Sequence, residues 1–371
     1  MSQGVFSARA PSNIALIKYM GKKDGVMNLP ENGSISMTLN SLCSVAEISL
    51  SGSANLASTF SDRVRWVSER PQSFHELPLE VPVLDDRGIS KLVRHAEKVV
   101  SATREIFPRF GLECGEIASP ENREILVFRT ANTFPQASGI ASSASSFATI
   151  TLATALACAR DRNVFESTWR MDSVFREEWA RISRQGSGSS CRSLEGPWVM
   201  WEDECVQVLP SQMPPMAHFV LLVSDQQKKV SSSEAHARVK TSPLWEKRPE
   251  RVVQRLVNMK QALAKGDVST VARIAWEDSW EMHSLFHTCS EPFSYWEPGS
   301  MAILQELAPW VIGAHGASSV GTGFMTPIVT MDAGPNVHVI VDATQKDLWF
   351  NRLNRLGFKI LSDHQGTGAI V

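Results

Sequence analysis

Cysteine is sparse in this 371-residue chain and follows no pattern: Cys43, Cys114, Cys158, Cys191, Cys205 and Cys289 stand apart, with no C-x-x-C pair and no His/Cys ligand spacing. A structural zinc site and a disulfide framework are therefore not expected, and the thiols read as the reduced thiols of a cytoplasmic protein. Charge of one sign is also missing. With 37 basic and 39 acidic residues the formal net charge is -2, which offers no global attraction to nucleic acid or a membrane surface. The most apolar stretch, residues 147–159, is short for a bilayer span and is broken by threonines, so it reads as a buried helix. The first residues lack an apolar h-region, and no secretory signal is expected. There is no internal repeat, no low-complexity tract and no G-x-x-x-x-G-K-[ST] phosphate loop.

What is present is a globular composition, 43% hydrophobic and 20% charged, on a chain long enough for two lobes sharing a cleft. Residues 35–39 and 45–50 alternate as strands, and residues 70–86, rich in proline, form a surface excursion that is a candidate lid. Ile89, Leu92, Val93, Ala96, Val99, Val100 and Ile106 keep a helical period. Residues 125–128 form a strand, and a long small-residue helix follows from Ile140. Beyond Trp201 the pattern gives a strand at 219–223, helices from Pro249, Asp267 and Pro298, strands at 326–330 and 337–341, a helix through Leu348 and Leu356, and a last strand at 358–361. Alternating strands and helices predict two α+β lobes, 1–200 and 201–371.

Four segments carry chemistry. Residues 135–146, PQASGIASSASS, place small side chains and Gly139 ahead of a helix, where backbone N–H groups and the helix N-terminus favour phosphate. Ser142 and Ser143 are able to donate to phosphate or help hold Mg²⁺. The plain alternative is a packed helix start with capping serines. Residues 13–23, NIALIKYMGKK, hold Lys18 and Lys22 four apart; on a helical turn they would share a face and repel unless an anion lies between them, the plain alternative being a solvated basic face. Arg192 follows the glycine-serine segment 186–190, too flexible for a helix interior, and suits a bidentate clamp on carboxylate or phosphate. Asp332 precedes Ala333-Gly334-Pro335, a turn that it alternatively just caps. His283 lies on an expected helix, where a satisfied core histidine is the commoner outcome.

Together these segments resemble the galactokinase/homoserine kinase/mevalonate kinase/phosphomevalonate kinase (GHMP) superfamily, and within it mevalonate diphosphate decarboxylases. That family reads NIAVIKYWGKR, PxAAGLASSAAG, GSGSACRS and FDAGPN; this chain reads NIALIKYMGKK, PQASGIASSASS, GSGSSCRS and MDAGPN in the same order. Asn32-Gly-Ser34-Ile-Ser36, Lys228-Lys-Val-Ser-Ser232 and Met282-His283 match as well, so the resemblance runs from about residue 8 to about residue 342.

The resemblance implies an ATP-binding N-terminal lobe like ribosomal protein S5 and a ferredoxin-like C-terminal lobe, with the site between them. It also implies ATP and Mg²⁺ dependence, a homodimer, and conversion of mevalonate 5-diphosphate to isopentenyl diphosphate through transient 3-phosphorylation. By position, Asp332, Lys18 and Arg192 would be catalytic, and Arg192 would hold the substrate carboxylate. Tyr19, Lys22, Arg87, Ser143, Ser189 and His283 would join it around the substrate. Pro135, Ser138, Gly139, Ser142, Ser143 and Ala144 would bind the nucleotide, with Ser142 nearest the metal. Met20, Ser138 and Glu234-Ala-His236 depart from the pattern. Gly88 stands where the family presents a basic residue to the diphosphate, leaving Arg87 or Lys91 to replace it. The same chemistry on mevalonate 5-phosphate is the alternative, ahead of a 3-kinase that does not decarboxylate or a catalytically silent sensor.

Overall fold

The computed structural model describes residues 4–25, 27–54, 59–135, 140, 142–226, 228–313 and 325–371. Two long strands open it: β1 (Val5–Ile17) and β2 (Ser34–Ser53), paired antiparallel. The register slips between Pro11 and Asn13, where proline has no N–H to give the ladder. Residues 35–39 and 45–50, expected as two strands, are one. At the bend between them the backbone N–H groups of Asn40, Ser41 and Leu42 donate to the Asp363 carboxylate instead of a ladder.

The first lobe continues through β3 (Val64–Trp66), α1 (Asp86–Arg109), β4 (Glu124–Asn132), α2 (Ser142–Cys158), α3 (Arg162–Met171), α4 (Ser173–Arg184), β5 (Trp198–Glu202) and β6 (Cys205–Val208). The sheet runs β3-β4-β2-β5-β6, with β1 also on β2. Residue 200, the expected lobe boundary, lies inside β5, and the strands of this sheet end at Val208. Asp85 caps α1 by accepting the Gly88 N–H at 2.8 Å. Beneath α1 lies α2, whose alanines and threonines are buried on all sides; such small side chains let it pack closely on α1 and the sheet. In segment 70–86, Phe74, Leu77, Leu79 and Val81 pack on Cys43, Val45 and Ala131, Glu80 pairs with Asn132, and the segment contributes no described residue to the cavity below.

The second lobe comprises β7 (Met216–Leu222), α5 (Ser232–Arg238), α6 (Arg248–Lys265), α7 (Val268–Thr288), α8 (Pro298–Ile312), β8 (Ile328–Met331), β9 (Val337–Asp342), α9 (Lys346–Asn354) and β10 (Lys359–His364). Its antiparallel sheet is ordered β10-β7-β9-β8. Gly266 ends α6 at φ 69°, and a Cβ there would sit 2.6 Å from the Gln212 carbonyl oxygen. Asp267 then starts α7 by accepting the Thr270 N–H at 3.0 Å.

One core joins the lobes. Ile14, Leu16, Met37 and Leu39 of the first sheet pack with Leu256 and Met259 of α6, Ile274 of α7, and Phe219 and Ile340 of the second sheet. Each fully buried aliphatic or aromatic side chain contributes about 1.5–3 kcal/mol. The end of the chain crosses back, with Gly366 N–H donating to the Thr38 carbonyl at 2.8 Å and Ile370 paired with Arg9. Among the described residues no helix is long and apolar enough to cross a membrane.

Candidate active site

Lys18 is the first residue beyond β1, and both lobes grip its backbone. Its N–H donates to Asp278 Oδ2 on α7 at 2.7 Å; its carbonyl accepts from Asn32 Nδ2 at 2.9 Å and from Arg248 at 3.2 Å. So held, its ammonium donates to Asp332 Oδ1 at 2.7 Å. Residues 18–21 are irregular rather than helical, so Lys18 and Lys22 do not share a helix face, because β1 has just ended in an extended chain; both still open on one cavity.

Asp332 follows β8, and its turn is fixed from three sides. The Gly334 N–H donates to the Asp332 carbonyl at 2.8 Å, Ser300 Oγ donates to the Pro335 carbonyl at 2.6 Å, and Asn336 Oδ1 accepts the Val223 N–H at 2.7 Å. The carboxylate is thereby turned to Lys18 instead of capping its own turn.

Arg192 is 2% exposed and lies in a 3₁₀ turn, Gly188–Ser193, not in a flexible loop. The glycines serve close approach: a Cβ on Gly188 would meet the Tyr19 ring at 2.8 Å, and one on Gly186 would meet Phe147 at 2.2 Å. Arg192 Nε donates to Ser36 Oγ at 3.1 Å, a terminal nitrogen donates to Ser34 Oγ, and the other donates to Asn13 Oδ1 at 3.3 Å. Among the described residues each terminal nitrogen makes one such bond, so a guanidinium that lines the cleft keeps donor capacity for a carboxylate.

These groups meet in a cleft of about 670 Å³. Among the described residues Lys18, Lys22, Lys91, Arg94, Lys98, Arg192 and Lys228 line it, against the single carboxylate of Asp332. A chain of net charge -2 thus gathers its cations where a polyanion would sit. Tyr19, Ser143 and Ser189 also line the cleft. Arg87 does not; it is exposed at the start of α1, whereas Lys91, Arg94 and Lys98 turn one face of that helix to the cavity. Their i, i+3, i+7 spacing is a signal the sequence carried. His283 is fully buried and stacks on Trp296 with centroids 5.0 Å apart, behind the cavity rather than on it. Pro135, Ser142 and Ala144 flank the start of α2 without lining the cleft, Ala144 being packed in the core. Ser138 and Gly139 lie outside the described residues.

Burial would raise the Asp332 carboxyl, but Lys18 and other nearby basic groups more than offset this and hold it below the ordinary carboxylate value. Burial lowers Lys18, with Asp332 opposing. Burial also lowers Lys22, and Lys91 across the cavity adds to it. His236, whose ring lies 4.4 Å from that of Tyr19, is brought down to about 3, chiefly by burial, and is neutral; its Nδ1 accepts the Gly21 N–H at 3.0 Å.

No three His, Cys, Asp or Glu side chains cluster as a metal cage among the described residues. The donor set instead suits Mg²⁺ carried by phosphates: the hydroxyl of Ser143, 3.3 Å from that of Ser187, faces the cleft beside Ser142 at the head of α2.

A two-lobed α+β scaffold with this cleft between its sheets is a GHMP-kinase fold. Family models for the diphosphomevalonate decarboxylase-like N-terminal domain and the mevalonate 5-diphosphate decarboxylase C-terminal domain match residues 10–207 and 218–365. The chain belongs to the diphosphomevalonate decarboxylase family. The Saccharomyces cerevisiae diphosphomevalonate decarboxylase is 32% identical over 345 residues, 89% of this chain and 76% of that one. The Debaryomyces hansenii protein of the same name is 30% identical, over 89% and 77%. A crystal structure of the Legionella pneumophila mevalonate diphosphate decarboxylase superposes with a TM-score of 0.70 at 32% identity, covering 96% of this chain and 100% of that one. MDDEF in complex with MVAPP, AMPPCP and magnesium shares the fold, with a TM-score of 0.70 at 23% identity over 99% of this chain and 98% of its own.

Proposed function

We propose that the protein decarboxylates mevalonate 5-diphosphate at the expense of ATP, yielding isopentenyl diphosphate, ADP, phosphate and CO₂. One observation carries the reading: the Lys18–Asp332 pair and Arg192 line one cleft whose other charged side chains, among the described residues, are all basic. Relatives named for this activity support it.

The 3-hydroxyl of the substrate is tertiary, and hydroxide is a poor leaving group; as a phosphate ester it leaves readily. Asp332 is placed to orient that hydroxyl. A carboxylate held below its usual pKa is a weak base, so it takes the proton late, once transfer of the phosphoryl group has made the hydroxyl acidic. As Asp332 is neutralised, Lys18 is freed to pair with the oxygens of the transferred group. Arg192 would hold the C1 carboxylate through its terminal N–H groups. When the 3-phosphate departs, positive charge grows at C3; the C1–C2 bond then breaks, its electrons form the C2=C3 double bond, and C1 leaves as CO₂. Mg²⁺, when bound through the phosphates near Ser142 and Ser143, would neutralise their charge. Lys22 and Lys228, with Lys91, Arg94 and Lys98 on α1, remain for the phosphates of substrate and nucleotide.

We place the protein in the cytoplasm as a homodimer. Six unpaired cysteines favour a reducing compartment, and family resemblance supports the dimer, which light scattering would test. The catalytic test supplies ATP and Mg²⁺ with mevalonate, its 5-phosphate or its 5-diphosphate in separate reactions, following ADP and identifying products by mass spectrometry. Isopentenyl diphosphate from the 5-diphosphate is the expected result. Turnover of the 5-phosphate alone would overturn the substrate assignment, and ADP without CO₂ would overturn the decarboxylation.

A further inference from the structure

Residues 22–30 form a loop closed at its neck, with the Lys23 N–H donating to the Leu29 carbonyl at 2.9 Å and Lys22 paired with Pro30. Inside it, Asn28 takes a left-handed backbone, φ 52°, a conformation asparagine tolerates better than most residues. It is 6% exposed and lines the cleft. Its carboxamide works in two directions. Oδ1 accepts from Lys22 Nζ at 2.7 Å, while Nδ2 donates to the Arg184 carbonyl at 2.9 Å and the Gln185 carbonyl at 3.3 Å. The orientation is unambiguous, because an ammonium only donates and carbonyls only accept.

Those two carbonyls belong to the end of α4, where helical partners run out. Arg184 returns the contact, its Nε donating to the Met27 carbonyl at 3.1 Å. Directly beyond lie Gln185 to Ser189, which line the cleft, and then Arg192. Asn28 therefore ties the cation at one wall of the cleft to the segment that carries the arginine of the other. The choice of side chain is constrained. Aspartate would set a negative charge against two carbonyls and cancel the charge of Lys22. Alanine would free both the ammonium and the helix end. A neutral amide fixes Lys22 while leaving its charge uncompensated and two of its N–H groups available.

We infer that Asn28 is a positioning residue that fixes the Lys22 ammonium for the phosphate end of the substrate and holds it in register with the Arg192 segment. The inference rests on the functional reading above for the identity of the substrate. It does not rest on it for the binding of anionic phosphate, which is tested separately.

The test compares Asn28→Ala, Asn28→Gly, which keeps the left-handed backbone, and Asn28→Asp with wild type and with Lys22→Met. Inorganic pyrophosphate binding is measured by calorimetry, and KM and kcat are measured for mevalonate 5-diphosphate and for ATP. In Asn28→Ala and Asn28→Gly, pyrophosphate affinity is expected to fall and KM for mevalonate 5-diphosphate to rise, each by roughly tenfold, with kcat within about threefold and KM for ATP unchanged. Asn28→Asp should lose at least as much affinity. Adding Asn28→Ala to Lys22→Met should raise KM by less than Asn28→Ala does alone, which a merely structural role would not produce. Wild type that binds pyrophosphate no better than Asn28→Ala, or additive effects in the double variant, would overturn the inference. Wild type that binds pyrophosphate but does not convert mevalonate 5-diphosphate would overturn the functional reading and leave the Asn28 comparison standing on binding.

Discussion

Asp278, on α7 of the second lobe, accepts the backbone N–H of Lys18, at the end of β1 in the first lobe, at 2.7 Å. The same carboxylate receives Arg248 at 3.3 Å and Arg255 at 3.0 Å, and Asp278 and Arg248 are fully buried. The active lysine is thus set by its main chain before its side chain reaches Asp332. Asp278→Asn removes the charge but retains an acceptor, leaving Arg248 with Glu281 at 3.3 Å as its remaining counter-charge. Stability is expected to drop by about 2–4 kcal/mol, toward the low end of breaking a buried pair. Turnover should drop more than the folded fraction does, because the Lys18–Asp332 pair is displaced. Urea unfolding alongside kcat checks both; a kcat that follows the folded fraction alone would refute the positioning role.

Asp332→Ala should lower kcat on the order of 10³-fold while leaving nucleotide affinity nearly intact, since the carboxylate acts on the acceptor hydroxyl. Its pH dependence has a definite sign. A carboxyl held below its ordinary value adds stability that is present above about pH 3.9, the unfolded value, and is lost as pH falls through the lower native value. The acidic limb of kcat/KM, which reports the free enzyme, should accordingly lie below the normal carboxylate range. A limb near pH 6 would assign the essential ionisation to another group.

Arg192 cannot be exchanged for lysine. One ammonium would have to replace bonds to Ser34, Ser36 and Asn13 and also clamp a carboxylate, and lysine is a point donor where arginine is a planar fork. Arg192→Lys and Arg192→Gln should both lose on the order of 100-fold in kcat/KM, about 2.7 kcal/mol, through higher KM and lower kcat together. Activity near wild type in either would remove Arg192 from the carboxylate.

Much of this site was legible because local chemistry constrained it. The turn around Asp332 and the strands around residues 328–342 carry their own backbone signals. The rest was decided by neighbouring elements. Nothing local says that Lys18 leaves a strand rather than entering a helix, since Asp278, 260 residues away, holds its backbone. The glycines near Arg192 read as flexible, but Tyr19 and Phe147 make them close-packed. His283 carries the same residues in a cleft or behind it, and only the stacking on Trp296 tells which. Arg87 was preferred to Lys91 by proximity in sequence, whereas helical phase turns Lys91, Arg94 and Lys98 inward together.

That phase gives a prediction of its own. Lys91→Gln should raise KM for the diphosphate substrate by roughly tenfold, about 1.4 kcal/mol, whereas Arg87→Gln should be silent. The Lys91 effect should shrink in high salt, as expected of a half-open charge contact. Steady-state kinetics at two ionic strengths measure it, and an Arg87→Gln defect larger than that of Lys91→Gln would reverse the placement.

Five histidines supply a second pH signature. His95, His218, His283 and His338 are almost wholly buried and His236 partly so; burial takes His95, His218, His236 and His283 down to about 3 and His338 to about 4 from the ordinary 6.5. Between those native values and 6.5 the unfolded chain binds protons that the native state refuses. Stability therefore rises with pH across that window and is lost on acidification, each histidine contributing up to about 1.4 kcal/mol per pH unit. Glu195, raised by burial, works in the opposite direction but is one group. Carboxylates such as Asp332 do not act until lower pH, so a decline between pH 6.5 and 5 isolates the histidines. Urea midpoints should be flat from pH 8 to 7 and fall steeply below 6.5. His95→Gln, which keeps a donor for Thr151, should flatten the slope by the share of one proton. A midpoint that stays constant down to pH 5 would mean that these imidazoles are protonated in the folded protein, each with a counter-charge.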